Sequence, residues 1–263
     1  MNFKITHAIS GIFSIIMLCS ISAAKIETIT ENKLAEIQRK IEWLKSSHAY
    51  GSACVRIAHD KIIYIDPSGL SSEQTRIKAD LILVTHSHDD HFSTTTIQDL
   101  SKESTTIIAP KDCHDELIKT SSGFKLKTSF PGLEIKALSP GENASVEDMS
   151  IETVPAYNLE SSAHPRVKGW LGYIVTIGGV RIYHSGDTSF IPEMKELNDI
   201  DIAILTVRDH YMMNGKQVVD AIASFRPKVV IPVHWLQPEE PDIQYIQEHA
   251  PSGIEVLILE PLH

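Results

Sequence analysis

Along the chain, mostly apolar runs of four to seven residues alternate with polar or turn-forming segments, and such runs read as buried strands. Residues 54–57, 61–66, 81–84, 106–109, 134–138, 151–154, 171–177, 180–183, 202–207, 229–233 and 254–259 fit this description. His59-Asp60 and Gly178-Gly179 are the turns of two hairpins, and Pro140-Gly141-Glu142-Asn143 reads as a polar turn between strands. Helical spacing predicts helices at 94–100, 112–119, 217–225 and 243–248. Near the start, Thr28-Ile29-Thr30-Glu31 has the form of a capping box. Leu34, Ile37, Ile41 and Leu44 follow at helical spacing, and the pattern leaves open whether residues 41–44 continue that helix or form a first strand. Strands interspersed with helices, with no repeat and no long linker, predict one α/β domain with two sheets inside and helices outside.

The N-terminus is set apart. Lys4 is followed by a mostly apolar stretch from Ile9 to Ile21 and then by Ser22-Ala23-Ala24. This is the layout of a secretory signal peptide, residues 1–24, leaving residues 25–263 as the working domain; an uncleaved anchor is the alternative. The apolar run is short for a membrane span, so the product is expected to be periplasmic or secreted, with no stable span after cleavage. Cys54 and Cys113 then remain, and neither has the spacing of a thiolate metal site. A chain of 263 residues builds a core without a disulfide, so both are read as unpaired. The net charge of −10 argues against nucleic acid as a partner, since phosphate binding needs a basic face. Nothing in the sequence fixes an oligomeric state.

Candidate chemistry concentrates where the run at 81–84 ends. His86, His88, Asp90 and His91 place three imidazoles and a carboxylate within six residues. On extended chain His86 and His88 point to the same side, and Asp90 and His91 need a turn that aims them at a second point nearby. Clustered imidazoles repel when protonated and waste burial when neutral, so a purely structural role explains them poorly. Imidazole with carboxylate suits zinc, and also manganese or iron. The arrangement recurs: the run at 180–183 leads into His184-Ser185-Gly186-Asp187, and the run at 229–233 into His234. Strand ends hold such groups well because the core fixes their backbones. Asp66, at another strand end, is either an outer partner that orients a ligand imidazole or a capping aspartate ahead of Pro67.

His-x-His-x-Asp-His behind an apolar strand, followed in order by Gly186-Asp187 and Pro232-Val233-His234, resembles the signature of the metallo-β-lactamase superfamily. Ala156-Tyr157-Asn158, His164-Pro165, Gly169-Trp170-Leu171-Gly172-Tyr173 and Tyr183-His184-Ser185-Gly186-Asp187-Thr188 resemble one branch of metal-dependent hydrolases, over most of residues 41–236. The resemblance implies a four-layer αββα sandwich and two divalent metal ions, Zn2+ foremost, with Mn2+ or Fe as alternatives. It implies that His86, His88, His164 and Asp187 hold one ion, and Asp90, His91, Asp187 and His234 the other. One ligand is displaced: Asn158 stands about where a His is usual, so the role passes to His164, with Asn158 or water as the alternative. A hydroxide between the ions would attack a carbonyl or a phosphorus, with Asp90 as the catalytic residue that orients it and moves a proton.

Two departures from the branch bear on substrate. Where a Gly-Gly-Thr-type turn is usual, this chain has Val207-Arg208-Asp209-His210-Tyr211. Arg208 and His210 would then face the pocket rim and, with Asn158, are candidates for binding substrate. A guanidinium there could clamp a phosphate or carboxylate, or equally pair with Asp209. The branch's Gly-His-Ala-Ser turn is also altered, either as Gly51-Ser52-Ala53-Cys54 or with His48 standing in. The branch is similar to the ascorbate-6-phosphate lactonase and N-acyl phosphatidylethanolamine phospholipase D types, which implies hydrolysis of a phosphodiester, lactone or other ester, small or lipid-like. A β-lactam hydrolase, or a non-catalytic metal- or ligand-binding protein of the same fold, are the alternatives.

Overall fold

A computed structural model describes residues 31–49, 51–119, 126, 128–236 and 240–263. Residues 1–24, expected to be a signal peptide, and residues Thr28 to Thr30 of the expected capping box lie outside the described residues. The helix α1 (31–38) stops before β1 (Ile41–Trp43), so residues after 40 form a strand and not a continued helix. A six-stranded sheet follows in spatial order from β1 through β2 (Val55–Ala58), β3 (Ile62–Ile65), β4 (Leu81–Leu83) and β5 (Thr106–Ala109) to β6 (Glu134–Ala137). The other sheet has seven strands: β7 (Asn143–Val146), β8 (Met149–Pro155), β9 (Leu171–Ile177), β10 (Val180–His184), β11 (Ile202–Thr206), β12 (Val229–Val233) and β13 (Glu255–Val256), adjacent in that order. Helices α2 (Thr94–Leu100) and α3 (Lys111–Lys119) cover the first sheet, and α4 (Gly215–Phe225) and α5 (Glu240–His249) cover the second.

The apolar runs explain the four layers. In β4, Leu81 and Leu83 enter the core between the sheets, while Ile82 turns outward to Ile97, Leu100, Cys113 and Leu117 under α2 and α3. In β11, Ile202 and Ile204 face the same central core, while Ala203 and Leu205 meet Val218, Ile222 and Phe225 of α4. Strands with both faces covered need apolar residues at every position, which is why they read as runs and not as alternations. Burial of each such Leu or Ile side chain stabilises the fold by ~1.5–3 kcal/mol. Two bonds stitch the sheets at one end: Tyr173 donates its hydroxyl to the Val84 carbonyl at 2.7 Å, and the Leu171 amide donates to the Thr85 carbonyl at 3.0 Å.

Strand directions then place the site. β3 to β6 are mutually parallel, as are β10 to β13, and β8 runs with β10 because both are antiparallel to β9. The segments after β3, β4, β8, β10, β11 and β12 therefore emerge at one edge of the sandwich. Strand β7 departs from expectation. It is a polar edge strand with only Val146 buried, pairing with β8 and starting at Asn143, the last residue of the expected turn, where the sequence predicts no strand. Cys54 and Cys113 are buried free thiols. No helix among the described residues is long and apolar enough to cross a membrane.

Candidate metal centre

At that edge, residues far apart in sequence converge. His86 Nε2 lies 3.0 Å from His88 Nδ1, and the His164 ring sits 5.1 Å from His86 and 4.9 Å from His88, between centroids. Beside them, His91 Nε2 is 3.0 Å from His234 Nε2 and 3.8 Å from Asp90 Oδ2, and His234 Nε2 is 3.3 Å from the same oxygen. Asp187 stands between the two groups: its Oδ2 is 3.4 Å from His164 Nε2, 3.2 Å from His91 Nε2 and 3.8 Å from His234 Nε2. His86, His88 and His164, and separately Asp90, His91 and His234, each bring donor atoms within 4.8 Å of one another, close enough to share a cation.

The outer hydrogen bonds fix which ring nitrogens face inward. Asp66 is fully buried; its Oδ1 accepts the Thr85 amide at 2.7 Å, and its Oδ2 accepts the Thr85 hydroxyl at 2.7 Å and His91 Nδ1–H at 2.8 Å. With the Thr85 proton given to Asp66, the Thr85 oxygen accepts from His86 Nδ1, 2.9 Å away. Asn158 spends its Nδ2 on the Tyr211 carbonyl at 2.9 Å and Ser189 Oγ at 3.3 Å, so its Oδ1 accepts His164 Nδ1–H at 2.7 Å. The Nδ1 atoms of His86, His91 and His164 are thus the ones tied to outer acceptors, which leaves their Nε2 atoms facing inward, the nitrogen a metal would take once it has displaced any proton there. Of the two readings of Asp66, the structure favours the outer partner. Asp66, His86 and His91 also lie within sharing distance, but both Asp66 oxygens are already committed to Thr85 and His91.

Two atoms test whether these residues fit cations. His164 Nε2 and Asp187 Oδ1 are buried without a hydrogen-bond partner. Such orphans are costly unless something satisfies them, and facing lone pairs at about 3 Å repel unless positive charge sits between them. Divalent cations meet both needs. The backbone shows matching strain: Asp66 and His234 adopt φ of 52° and 65°, a left-handed region seldom used by such residues and often found at functional sites. Gly186, at φ 59°, has no room for a side chain, since a Cβ there would lie 2.7 Å from the Leu171 carbonyl oxygen.

Charge is balanced by opposition. Burial alone would lower the His91 pKa, but Asp187 and Asp66 outweigh it and hold it well above the ordinary range. Burial would raise that of Asp187, but His91 and His234 hold it well below. Burial, reinforced by neighbouring imidazoles, keeps His86 well below its usual value and pushes His164 down to about 4. His164 therefore stays neutral in the fold at pH values where an unfolded chain, titrating near 6.5, would protonate it. In that window the unfolded state binds the extra proton, so metal-free protein loses stability as pH falls from 6.5 towards 4, by up to about 1.4 kcal/mol per pH unit from this group. His91 has the opposite sign and costs stability only as pH rises above 6.5. Denaturant midpoints of metal-free protein should accordingly be lower at pH 5 than at pH 6.5, and an unchanged midpoint would contradict the buried, neutral His164.

A profile of the beta-lactamase superfamily domain matches residues 47–234. The chain belongs to the metallo-β-lactamase superfamily. A metal-dependent hydrolase of Thermococcus onnurineus is 28% identical over 222 residues, spanning 80% of this chain and 94% of that relative. One from Thermus thermophilus is 30% identical over 193 residues, 70% of this chain and 80% of the relative. A crystal structure from Parabacteroides distasonis, described as a metal-dependent hydrolase, has a TM-score of 0.66 at 35% identity, covering 81% of this chain and 91% of that one. This superfamily member is thus a metal-dependent hydrolase with residue clusters able to bind metal.

The cavity of this superfamily hydrolase holds about 270 Å³ and is lined by His88, Asp89, Asp90, His164, Asp187 and His234 together with Ala163, Arg208, Tyr211 and Met212. Arg208 reaches it, its guanidinium 5.6 Å from the centre of the Tyr211 ring. His210 does not: φ is 68° there, the side chain is 86% exposed, and Nε2 pairs with Asp209 at 3.2 Å. The structure thus turns His210 away from the pocket rim, where the sequence expects it. Asn158, the other candidate, is buried beside His164 with its amide engaged by Tyr211, Ser189 and His164. The altered turn is split as well. Gly51 packs against His234, where a Cβ would lie 3.3 Å from Nδ1, while His48 Nε2 is 3.0 Å from Ser68 Oγ. Ser68 in turn donates to the Asp89 carbonyl at 2.5 Å. The Thr85 relay and the cavity wall of Ala163, Tyr211 and Met212 have no local sequence signal, since both arise from tertiary contacts.

Proposed function

We propose that this hydrolase is an exported binuclear enzyme that cleaves an ester of the phosphodiester or lactone class, small or lipid-like. The observation that carries the reading is the position of Asp187, whose one carboxylate faces His164 on one side and His91 with His234 on the other, with an oxygen left unpartnered. His86, His88, His164 and Asp187 would hold one divalent ion, and Asp90, His91, Asp187 and His234 the other. Zn2+ suits this nitrogen and oxygen set best, and Mn2+ or Fe are acceptable to it. Such ions, when bound, supply the Lewis acidity that ionises water near neutral pH and takes up charge on the attacked group. Residues 1–24 fit export to the periplasm or beyond.

The chain's own groups supply orientation. Burial opposes ionisation of Asp90, but the hydrogen bond to His234 and the charge of His91 outweigh it and hold its pKa at about 2. Asp90 is therefore a carboxylate at neutral pH, lining the cavity, suited to accept a proton-bearing bond from the attacking water and aim it. Arg208 in the cavity lining is suited to a phosphate or carboxylate on the substrate. Met212, Ala163 and the Tyr211 ring offer apolar surface to the organic remainder.

The test compares variants and substrates. His164→Ala should lower metal content by about as much as His88→Ala, read by elemental analysis; two ions retained would remove His164 from the set. The wild-type protein with both ions should turn over bis-p-nitrophenyl phosphate or a simple lactone. Failure on every phosphodiester, lactone and other ester tried would refute the substrate class.

A further inference from the structure

Trp170 and Asp112 lie behind the site and take no part in the roles assigned above. Trp170, just ahead of β9, is 3% exposed, and its indole meets three imidazoles, with centroids 4.9 Å from His86, 5.0 Å from His88 and 5.7 Å from His164. Those three rings are the ones that would share the first ion. Among the described ring contacts, neither His91 nor His234 touches the indole. The indole Nε1–H donates to Asp112 Oδ2 at 2.9 Å, and the same oxygen accepts the Ser87 hydroxyl at 3.0 Å. Ser87 is the residue between His86 and His88. Asp112 Oδ1 accepts the Cys113 amide at 2.9 Å. One carboxylate at the start of α3, over the first sheet, thus ties the His86–His88 loop to the opening of β9 in the second sheet.

The brace answers a need that the outer hydrogen bonds leave. His86 leans on Thr85, His91 on Asp66 and His164 on Asn158. The His88 ring has, among the described hydrogen bonds, only His86 as a partner. Its orientation must come from the backbone at Ser87 and from the face it packs against, and Asp112 holds both. We infer that Asp112 and Trp170 are positioning residues that set the geometry of the first metal site, through His88 above all, and do so without shaping the second. This rests on the two-ion reading above.

The test is a Zn2+ titration of metal-free protein against a competing chelator. Wild type, Asp112→Ala, Asp112→Asn and His88→Ala are compared, with thermal unfolding of each metal-free protein as a control. The step lost in His88→Ala marks the first site. In Asp112→Ala that step should weaken about 10–100-fold, the usual effect of removing an outer partner, while the other stays within about twofold. Metal-free unfolding should remain within a few degrees of wild type. Asp112→Asn keeps a carbonyl oxygen for Ser87 and Trp170 and should restore most of the affinity. The inference is overturned if Asp112→Ala leaves both steps unchanged, weakens both alike, or is matched by Asp112→Asn, which would assign the effect to charge. A wild-type protein that takes one ion would instead refute the two-ion reading, and the brace would then stand or fall on whether Asp112→Ala weakens that ion.

Discussion

Asp187→Ala is expected to reduce hydrolysis by about 10²–10³-fold or more, the scale of losing a preorganised electrostatic group, and to release at least one ion per chain. Among the described residues, Asp187 is the one carboxylate within 4.0 Å of imidazole nitrogens of both clusters, and its side chain is almost wholly enclosed. Removing it also leaves the charge on His91 with only Asp66 and Asp90 nearby. Breaking a buried pair from one side typically costs ~3–5 kcal/mol, so the metal-free variant should unfold at lower denaturant as well. Asp187→Asn preserves the shape and separates the two effects: it should recover part of the stability and little of the activity. A variant that retained two ions and a tenth or more of the wild-type rate would deny Asp187 its place between the sites.

Asp66→Ala should be nearly as damaging, although Asp66 lines no part of the cavity. It strands the Thr85 amide, the Thr85 hydroxyl and His91 Nδ1–H together in a fully buried setting. Each unsatisfied buried donor costs ~1–3 kcal/mol, so a loss of several kcal/mol is expected in denaturant unfolding. The consequence for metal is separate. Without the carboxylate, the His91 ring is free to move its proton to Nε2, where it would block coordination, and Thr85 no longer has a fixed proton direction to offer His86. Affinity should fall by about 10–100-fold or more. Asp66→Asn, which keeps one acceptor oxygen, should be milder in stability than in metal affinity. Equal metal affinity in Asp66→Asn and wild type would contradict the tautomer argument.

The parts legible in the sequence are those in which local pattern and tertiary role coincide. Strands β4, β11 and β12 are apolar on both faces because layers cover both, and a continuous apolar run announces that directly. The ends of β4 and β12 lead into His86 to His91 and into His234, so the strand pattern and the chemistry are read together. Strand β7 escapes for the converse reason: an edge strand with three of four residues accessible to solvent carries no apolar signal. Arg208 and His210 are close in sequence with the same polar character, yet Arg208 lines the cavity while His210, on left-handed backbone, is exposed. Asn158 illustrates a finer limit. Sequence places it near His164, but whether its oxygen faces the ring or the pocket depends on Tyr211 and Ser189, which arrive from distant loops. The link between Trp170 and Asp112 spans 58 positions and joins two sheets, and no local pattern encodes it.

The most direct measurement of the central claim is metal stoichiometry tied to rate. The purified protein is stripped with a chelator, assayed on an ester it hydrolyses, then reconstituted stepwise with Zn2+ while bound metal is counted by elemental analysis. Two ions per chain, a rate that vanishes with stripping and full recovery only when the second ion is in place are the predicted results. A full rate in ion-free protein, or full recovery with a single ion, would contradict the account.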